Sequence, residues 1–199
     1  ILGNIAFRNA KSLSRITFSD SLTLIGNAAF QGCSSLKTLV LPKNIVSIGN
    51  SAFASCSGLE SISIEGNIVL FGKSAFFECY NVESIYFAST TIADMGENNY
   101  ILYDVGRDGE GITLTMSKDA KLPLQILQPA ENKNHPNIKK IVVEDGATNV
   151  NYFTGAEYLP YLEEIELPDT ITDIEFGIFN NSLWLQNQQN GAVYISNIL

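Results

Sequence analysis

Residues 25–47 read IGNAAFQGCSSLKTLVLPKNIVS, and the chain repeats this unit at a step of 23 residues. Several positions keep the register through four copies: Phe7, Phe30, Phe53 and Phe76; Gly3, Gly26, Gly49 and Gly72; Ala6, Ala29, Ala52 and Ala75; Leu13, Leu36, Leu59 and Val82. Cysteine recurs at the same step, at Cys33, Cys56 and Cys79. A fixed period of this length is typical of a solenoid, in which each repeat buries its apolar face against the next repeat.

The strand of each unit is predicted by the spacing Leu36-x-x-Leu39-x-Leu41. Alternation places Leu39 and Leu41 in the core and the residues between them on the outside. Pro42 ends the strand because it has no N–H to donate to a ladder. The unit therefore contributes one short, half-buried strand to a parallel sheet.

The rest of the unit returns the chain to the next strand. Ile45 and Ile48 are expected to point into the core from a second short extended piece. Gly49 is expected to take a turn conformation that a side chain would strain. The pair Ala52-Phe53 then fills the core from a tight helical or 3₁₀-like turn.

The register extends, with one interruption, over the whole chain. We expect a single solenoid domain over 1–199, with regular repeats at 1–87, an irregular or inserted region at 88–137, and repeats that resume at 138–199. Because both ends lie inside a repeat, we interpret the chain as a fragment of a longer protein. The predicted fold is a curved repeat solenoid, mainly β with short helical or 3₁₀ turns. Its parallel sheet should have about eight short strands, centred near Ile16, Leu39, Ile62, Ile85, Leu114, Ile141, Ile165 and Val193.

The composition supports a folded, acidic domain. Hydrophobic residues make up 45% of the 199 residues, which is enough to form a core, and the formal net charge is −9. An acidic surface repels phosphate backbones and anionic lipid headgroups, so we expect neither nucleic-acid binding nor docking on a membrane. No apolar run reaches the length needed to span a bilayer, so we expect no membrane insertion by this segment.

The full pattern Ile-Gly-x-x-Ala-Phe-x-x-Cys-x-x-Leu-x-x-Ile-x-Leu-Pro resembles the BspA-type leucine-rich repeat over residues 1–87 and 159–180. Between 88 and 137 the chain departs from that pattern. The resemblance implies a curved leucine-rich-repeat stack in a bacterial cell-surface or secreted protein, with a role in adhesion or protein binding. It implies no catalytic residue.

No motif predicts a metal or cofactor site. The three cysteines recur once per unit, whereas zinc ligands come in closely spaced pairs, so we predict a ladder of buried free thiols, with a disulfide between neighbours as the alternative. Residues 104–111 have the acidic and glycine content of a calcium loop. However, Gly106 stands at the third position and Thr115 at the twelfth, which favours a solvated acidic loop. His135 is the single histidine, so it is the one residue that could serve as the base of a Ser-His-Asp or Cys-His site.

The outward strand positions vary in charge and size, whereas the inward positions stay apolar. Such variation is expected of a recognition surface and also of unconstrained solvent-facing positions. The candidate partner-binding face comprises Arg15, Thr17, Lys37, Thr38, Val40, Glu60, Ser61, Ser63, Glu83, Ser84, Tyr86, Lys139, Lys140, Val142, Glu163, Glu164 and Glu166.

These observations favour a non-enzymatic binding or adhesion module that contacts a protein partner, host or extracellular, at the bacterial cell surface. One alternative is carbohydrate binding on the same scaffold, with Tyr86, Tyr100 or Tyr103 stacking on sugar rings. Exposed, adjacent tyrosines would favour that alternative.

A less favoured alternative is a parallel β-helix enzyme that acts on polysaccharides. Glu163, Glu164 and Glu166 would form its carboxylate cluster, near Glu144 and Asp145. The Ala-Phe turn and the leucine spacing fit a leucine-rich coil better, so we interpret these carboxylates as a charged strand face.

Overall fold

The computed structural model describes residues 1–88, 102, 105–120, 137–150, 159–173 and 184. Within these ranges the chain forms successive coils that stack side by side and pair through two parallel sheets. The strands are β1 (Leu24–Ile25), β2 (Thr38–Leu41), β3 (Ser47–Ile48), β4 (Ser61–Ile64), β5 (Leu70–Phe71), β6 (Ser84–Phe87), β7 (Ile112–Met116), β8 (Ile138–Val143) and β9 (Glu164–Glu166).

The larger sheet has the order β2-β4-β6-β7-β8-β9, and every neighbouring pair is parallel. Leu39 lies beside Ile62, and Ile62 lies beside Ile85, so the register follows the 23-residue repeat. A smaller sheet, β1-β3-β5, joins the second extended piece of each coil. The predicted parallel-sheet solenoid is confirmed, and so is the second extended piece at Ile48.

The core consists of ladders in which equivalent side chains contact one another from coil to coil. Phe30 and Phe53 are fully buried, and their ring centroids lie 5.2 Å apart with the planes 3° from parallel. Phe76 continues the stack at 5.5 Å from Phe53. Phe7 occupies the repeat position of Phe53, for which the sequence predicts burial. It stacks on Phe30 at 5.2 Å but is 38% exposed, so that prediction is wrong for Phe7. Its outer face stays open because the described residues place a neighbouring coil on one side of it only.

The turn that carries each Ala-Phe pair alternates between two kinds of hydrogen bond. Within the coil, the Gln31 N–H donates to the Ala28 carbonyl, three residues earlier. The Phe30 N–H instead donates to Ala52 of the next coil, at 2.7 Å. The predicted tight turn is therefore present, but half of its amides bond across coils rather than along a helix.

Gly49 is required for a reason that the sequence prediction missed. A Cβ on Gly49 would lie 2.5 Å from the Asn27 nitrogen and 2.6 Å from the Gly26 carbonyl carbon, so no side chain fits between the coils. The positive φ expected at this glycine falls two residues later, at Ser51 (54°). The glycine ladder thus serves close approach of the coils rather than an unusual backbone angle.

The structure contradicts one of the predicted strands and confirms others. The strand predicted near Ile16 is wrong, because residues 12–19 contain no strand although Ile16 and Phe18 pack against the core. The strand predicted near Val193 lies outside the described residues. The strands predicted near Leu114 and Ile141 are confirmed as β7 and β8.

The register shifts by one residue between β7 and β8. Ile112 lies beside Ile138, whereas Thr113 lies beside Lys140, so Lys139 is the extra residue of a bulge. Gly111 precedes β7, and a Cβ there would lie 2.4 Å from the Lys139 Cδ atom. The missing side chain at Gly111 therefore leaves room for the bulged lysine.

Candidate functional site

The outward side chains of the larger sheet form two straight rows, which we call the strand face. Successive residues of a strand point to opposite sides, and a parallel register places equivalent residues side by side. The first row is Thr38, Ser61, Ser84, Thr113, Lys140 and Glu164. The second row is Val40, Ser63, Tyr86, Thr115, Val142 and Glu166.

The structure brings most of the predicted candidates into this face. Lys37, Glu60, Glu83 and Glu163 lie directly before their strands and are exposed, beside the first row. The predicted residues Arg15 and Thr17 are also exposed, but they are not on a strand and do not join the rows. The sequence prediction assigned them to the face through the wrong strand near Ile16.

Sequence reasoning missed Thr113 and Thr115, which occupy the middle of both rows. The signal was available, because the buried positions Ile112, Leu114 and Met116 alternate with them. These two threonines connect the first three strands of the face to the last two.

The three lysines that flank or occupy the face, Lys37, Lys139 and Lys140, are bound to carboxylates of the next coil. Lys139 forms an ion pair with Glu163 at 3.3 Å. Lys140 donates to Glu164 at 3.0 Å and also contacts Glu166, and these hydrogen bonds, Glu166 first, raise the pKa of the Lys140 ammonium. The three glutamates proposed as a carboxylate cluster are therefore each paired with a lysine.

At the β2 end of the face, Lys37 forms the same kind of ion pair with Glu60 of the next coil. Each pair joins neighbouring coils and leaves the centre of the face without a lysine. The centre consists of hydroxyl side chains around Tyr86, which the structure leaves partly exposed.

Tyr86 is held beside two carboxylates. Its hydroxyl donates to a Glu144 carboxylate oxygen at 3.4 Å. Partial burial raises the pKa of the Tyr86 phenol, and the negative charges of Glu144 and Glu65 raise it further. Tyr86 therefore stays protonated at neutral pH and presents a neutral ring with a polar edge. Tyr100 and Tyr103, the other tyrosines of the carbohydrate alternative, lie outside the described residues.

An apolar groove of about 490 Å³ lies at the β2 end of the face. Its apolar walls are Ile16, Phe18, Val40 and Pro42, and Asp20, Lys43, Glu65 and Thr17 add polar groups. The groove is bordered by residues 16–18, where the first strand was predicted, and by Val40 and Pro42 at the edge of β2.

The cysteines form the predicted ladder of buried free thiols. Each thiol donates to the carbonyl of a phenylalanine of the preceding coil; Cys56, for example, donates to Phe30 at 3.2 Å. Burial raises the pKa of the Cys56 thiol to about 12, and burial likewise raises the pKa of Cys79 well above the usual value. Because a protonated thiol is a poor nucleophile and a poor metal ligand, these side chains act as core residues.

The loop at residues 104–111, whose composition resembled a calcium site, is hydrogen-bonded to the coil before it through Gly106 and Asp108. Gly106 donates its N–H to the Cys79 carbonyl at 3.0 Å, and Asp108 donates its N–H to Tyr80 at 3.1 Å. The Arg107 guanidinium lies 4.0 Å from the centre of the Tyr80 ring and also pairs with Asp108. Asp104 lies outside the described residues. In the described part of the chain, no cluster of three histidine, cysteine or acidic side chains could hold a metal ion.

A search of curated proteins found no match to this chain. Among solved structures, the chain is similar to a leucine-rich repeat protein from Bacteroides ovatus, with 18% identity over 92% of this chain and 63% of that one, at a TM-score of 0.30. A leucine rich cell surface protein from Faecalibacterium prausnitzii matches at 18% identity over 92% and 67%, with a TM-score of 0.31. The pneumococcal vaccine antigen PcpA matches at 18% over 75% and 44%, with a TM-score of 0.23.

These overlaps are weak, and the chain spans less than two thirds of the length of the Bacteroides ovatus protein. No helix in the described part of the chain is long and apolar enough to cross a membrane. The decisive comparison is with a family model, that of the BspA type leucine rich repeat region, which matches six copies over residues 1–101 and 130–193. The chain belongs to the BspA-type leucine-rich repeat family.

Proposed function

We propose that this chain is a non-enzymatic binding module that recognises a protein partner through its strand face. The observation that carries the proposal is the contrast between the two sides of one sheet. Inward positions are uniformly apolar, whereas the outward row from Val40 through Tyr86 to Glu166 changes in size or polarity at every step and carries a charge at Glu166. Folding constrains only the inward side, so the outward side is available for recognition.

The shape of the face suits a protein partner. Five steps between six parallel strands give a surface about 24 Å long, at roughly 4.8 Å per strand. Its ends carry lysine–glutamate pairs and its centre carries neutral hydroxyls around Tyr86. A central aromatic side chain surrounded by polar groups is typical of protein interfaces.

The absence of catalysis is part of the proposal. Glu163, Glu164 and Glu166 are all exposed on an open surface. Each of them is also paired with a lysine. General acid catalysis by a carboxyl group needs a raised pKa, which burial or an unpaired carboxylate neighbour normally supplies. The arrangement therefore favours the charged strand face over a polysaccharide-active site.

We further propose that the chain is one solenoid domain of a longer extracellular or cell-surface protein. The continuous sheet from β2 to β9 supports a single domain, because β7 and β8 join the regular coils to the later ones. The surface location follows the usual setting of the family and is tested by fractionating the source cells.

The binding proposal is tested with three proteins: the natural chain, a face variant with Tyr86→Ala, Thr115→Ala and Val142→Ala, and a rear variant with Val46→Ala, Val69→Ala and Leu70→Ala. The rear residues are exposed apolar side chains on or beside the smaller sheet, so the rear variant controls for the loss of three side chains away from the strand face. Each protein is applied to arrays of extracellular proteins and of glycans.

We expect a protein ligand that binds the natural chain and the rear variant but not the face variant. A ligand that binds all three proteins equally would contradict the strand face as the site. Binding to glycans alone, lost on removal of Tyr86, would instead support the carbohydrate alternative.

A further inference from the structure

The groove at the β2 end and the Tyr86 ring lie on one line across the strand face. Val40 is a wall of the groove, and the register places Val40 beside Ser63 and Ser63 beside Tyr86. Two strand steps of about 4.8 Å each separate the groove wall from Tyr86, a distance of about 10 Å. A protein segment in the polyproline II conformation places every third side chain on the same side, about 9 Å apart. Two such side chains match the spacing of the groove and the ring.

The groove is suited to an aliphatic side chain. Its apolar walls are Ile16, Phe18, Val40 and Pro42. Val40 is 49% exposed, so the groove leaves part of this apolar wall in contact with water. A leucine-sized side chain that filled the groove would remove this surface from water, which is favourable.

Two carboxylates lie near Tyr86, and their charges raise the pKa of its phenol. Glu65 and Glu144 each stand two residues after the second outward row, on the same side of the sheet as Tyr86. The Tyr86 hydroxyl donates to Glu144 at 3.4 Å, and the Ser63 hydroxyl donates to Glu65. A carboxylate has about four acceptor sites, so each keeps sites for further donors. In the described part of the chain, no lysine or arginine pairs with either carboxylate.

The strand face as a whole is acidic. In or directly beside the strands of the larger sheet, three lysines stand against seven glutamates, which gives a net charge of −4. All three lysines are bound to glutamates, so none of them offsets the carboxylates near Tyr86. An acidic face attracts a basic partner and repels an acidic one. The charged residues counted are Lys37, Lys139, Lys140, Glu60, Glu65, Glu83, Glu144, Glu163, Glu164 and Glu166.

We propose that the groove and Tyr86 form one site for an extended basic segment of a protein partner. An aliphatic side chain of the segment occupies the groove, and an arginine or lysine three residues away lies over the Tyr86 ring. The cation is attracted to the face of the ring, and its N–H groups donate to Glu65 and Glu144. This inference rests on the proposed function, since it names the chemistry of the partner that the strand face recognises.

A peptide titration tests the site on the whole chain. The probe is acetyl-Leu-Pro-Pro-Arg-Pro-Pro-Leu-amide, which favours polyproline II and carries a leucine three residues from arginine in both directions. It is added to the isotope-labelled chain, and amide shifts are followed by NMR. We expect saturable shifts at Val40, Tyr86 and Thr115. Replacing the arginine of the peptide with glutamate should weaken binding at least about tenfold, and replacing both leucines with serine at least about fivefold.

Variants of the chain separate the two contacts. Glu65→Gln with Glu144→Gln removes both charges and keeps the side-chain shape, so the probe should bind about fivefold more weakly. Val40→Ser should weaken binding of the probe about threefold but leave binding of the leucine-free peptide unchanged. The control is Glu110→Gln with Asp169→Asn, which removes the same charge from exposed positions outside the strand face. Because such distant charges are screened, the control should change the affinity by less than about twofold.

Shifts that do not saturate, shifts centred away from Val40 and Tyr86, or equal weakening by the control variant would overturn the proposed site. A chitosan oligomer carries amines on sugar rings, and its binding more tightly than the peptide would overturn the assignment to a protein segment. A protein partner from the arrays could also lose binding to the face variant but bind Glu65→Gln with Glu144→Gln undiminished. The strand face would then remain the binding site, and the basic-segment proposal would be wrong.

Discussion

Replacing Gly49 with alanine measures how closely the coils stack. The added Cβ would lie 2.5 Å from the Asn27 nitrogen, 2.6 Å from the Gly26 carbonyl carbon and 2.7 Å from the Asn27 side-chain oxygen. Two of these atoms are backbone, so they cannot move without separating two hydrogen-bonded coils. Overpacking of this kind costs about 1–3 kcal/mol.

Gly3 offers a matched control, since it is the equivalent residue of the first coil and a Cβ there meets nothing within 4 Å. Both substitutions reduce the entropy of the unfolded chain by the same amount, worth about 0.4–1 kcal/mol of stability. The difference between them therefore isolates the clash. We expect Gly49→Ala to be less stable than Gly3→Ala by about 2–3 kcal/mol, because its closest contacts are with backbone.

The assay is urea denaturation followed by circular dichroism, with the slope against denaturant checked for each variant. A shared slope would show that the unfolding reaction is the same in both proteins. If the two variants differed by less than about 0.5 kcal/mol, the coils would be free to separate and the packing argument would be refuted.

Other predictions follow from the ladders. Phe53→Ala should lower the free energy of unfolding by about 3–5 kcal/mol in urea denaturation, and Phe7→Ala by clearly less, because Phe7 is stacked on one side and 38% exposed; equal losses would contradict the stack. The folded-state pKa of Cys56 is raised to about 12, so the unfolded chain releases its proton first as pH rises. Stability should therefore fall between about pH 9 and pH 12, and Cys56→Ala should reduce that fall; an unchanged profile would argue against a buried thiol. Alkylation of the thiols at pH 8 should be slow until urea unfolds the chain.

The repeat period could be read from the sequence because burial constrains it directly. A core position such as Phe53 contacts its own equivalents in both neighbouring coils, so a departure in one copy would disturb two interfaces. The same logic correctly predicted β7, where Leu114 joins the ladder through Ile85. Inward residues were therefore predictable one by one.

Other features depend on contacts that no single repeat reveals. The reason for Gly49 is the distance to Asn27, which depends on how far apart the coils stack. The absence of a strand near Ile16 could not be seen from residues 15–18, since their pattern is that of a strand.

The strand face could be predicted from the sequence only in part. Its outward direction follows from alternation, and the structure places Tyr86 and Val142 as predicted. Its charge pattern could not be predicted, because the pairing of Lys140 with both Glu164 and Glu166 depends on the exact register across a 24-residue step.

The ladders and outward rows of the regular coils require that equivalent residues lie side by side in a parallel register of 23 residues. Backbone NOEs of the isotope-labelled chain test it directly. We expect Ile62 to show cross-strand NOEs to the backbone around Leu39 on one side and around Ile85 on the other, with both strands running in the same direction. A register displaced by one residue would turn the outward rows into the core, and antiparallel strands would rule out stacked coils; either result would contradict the account.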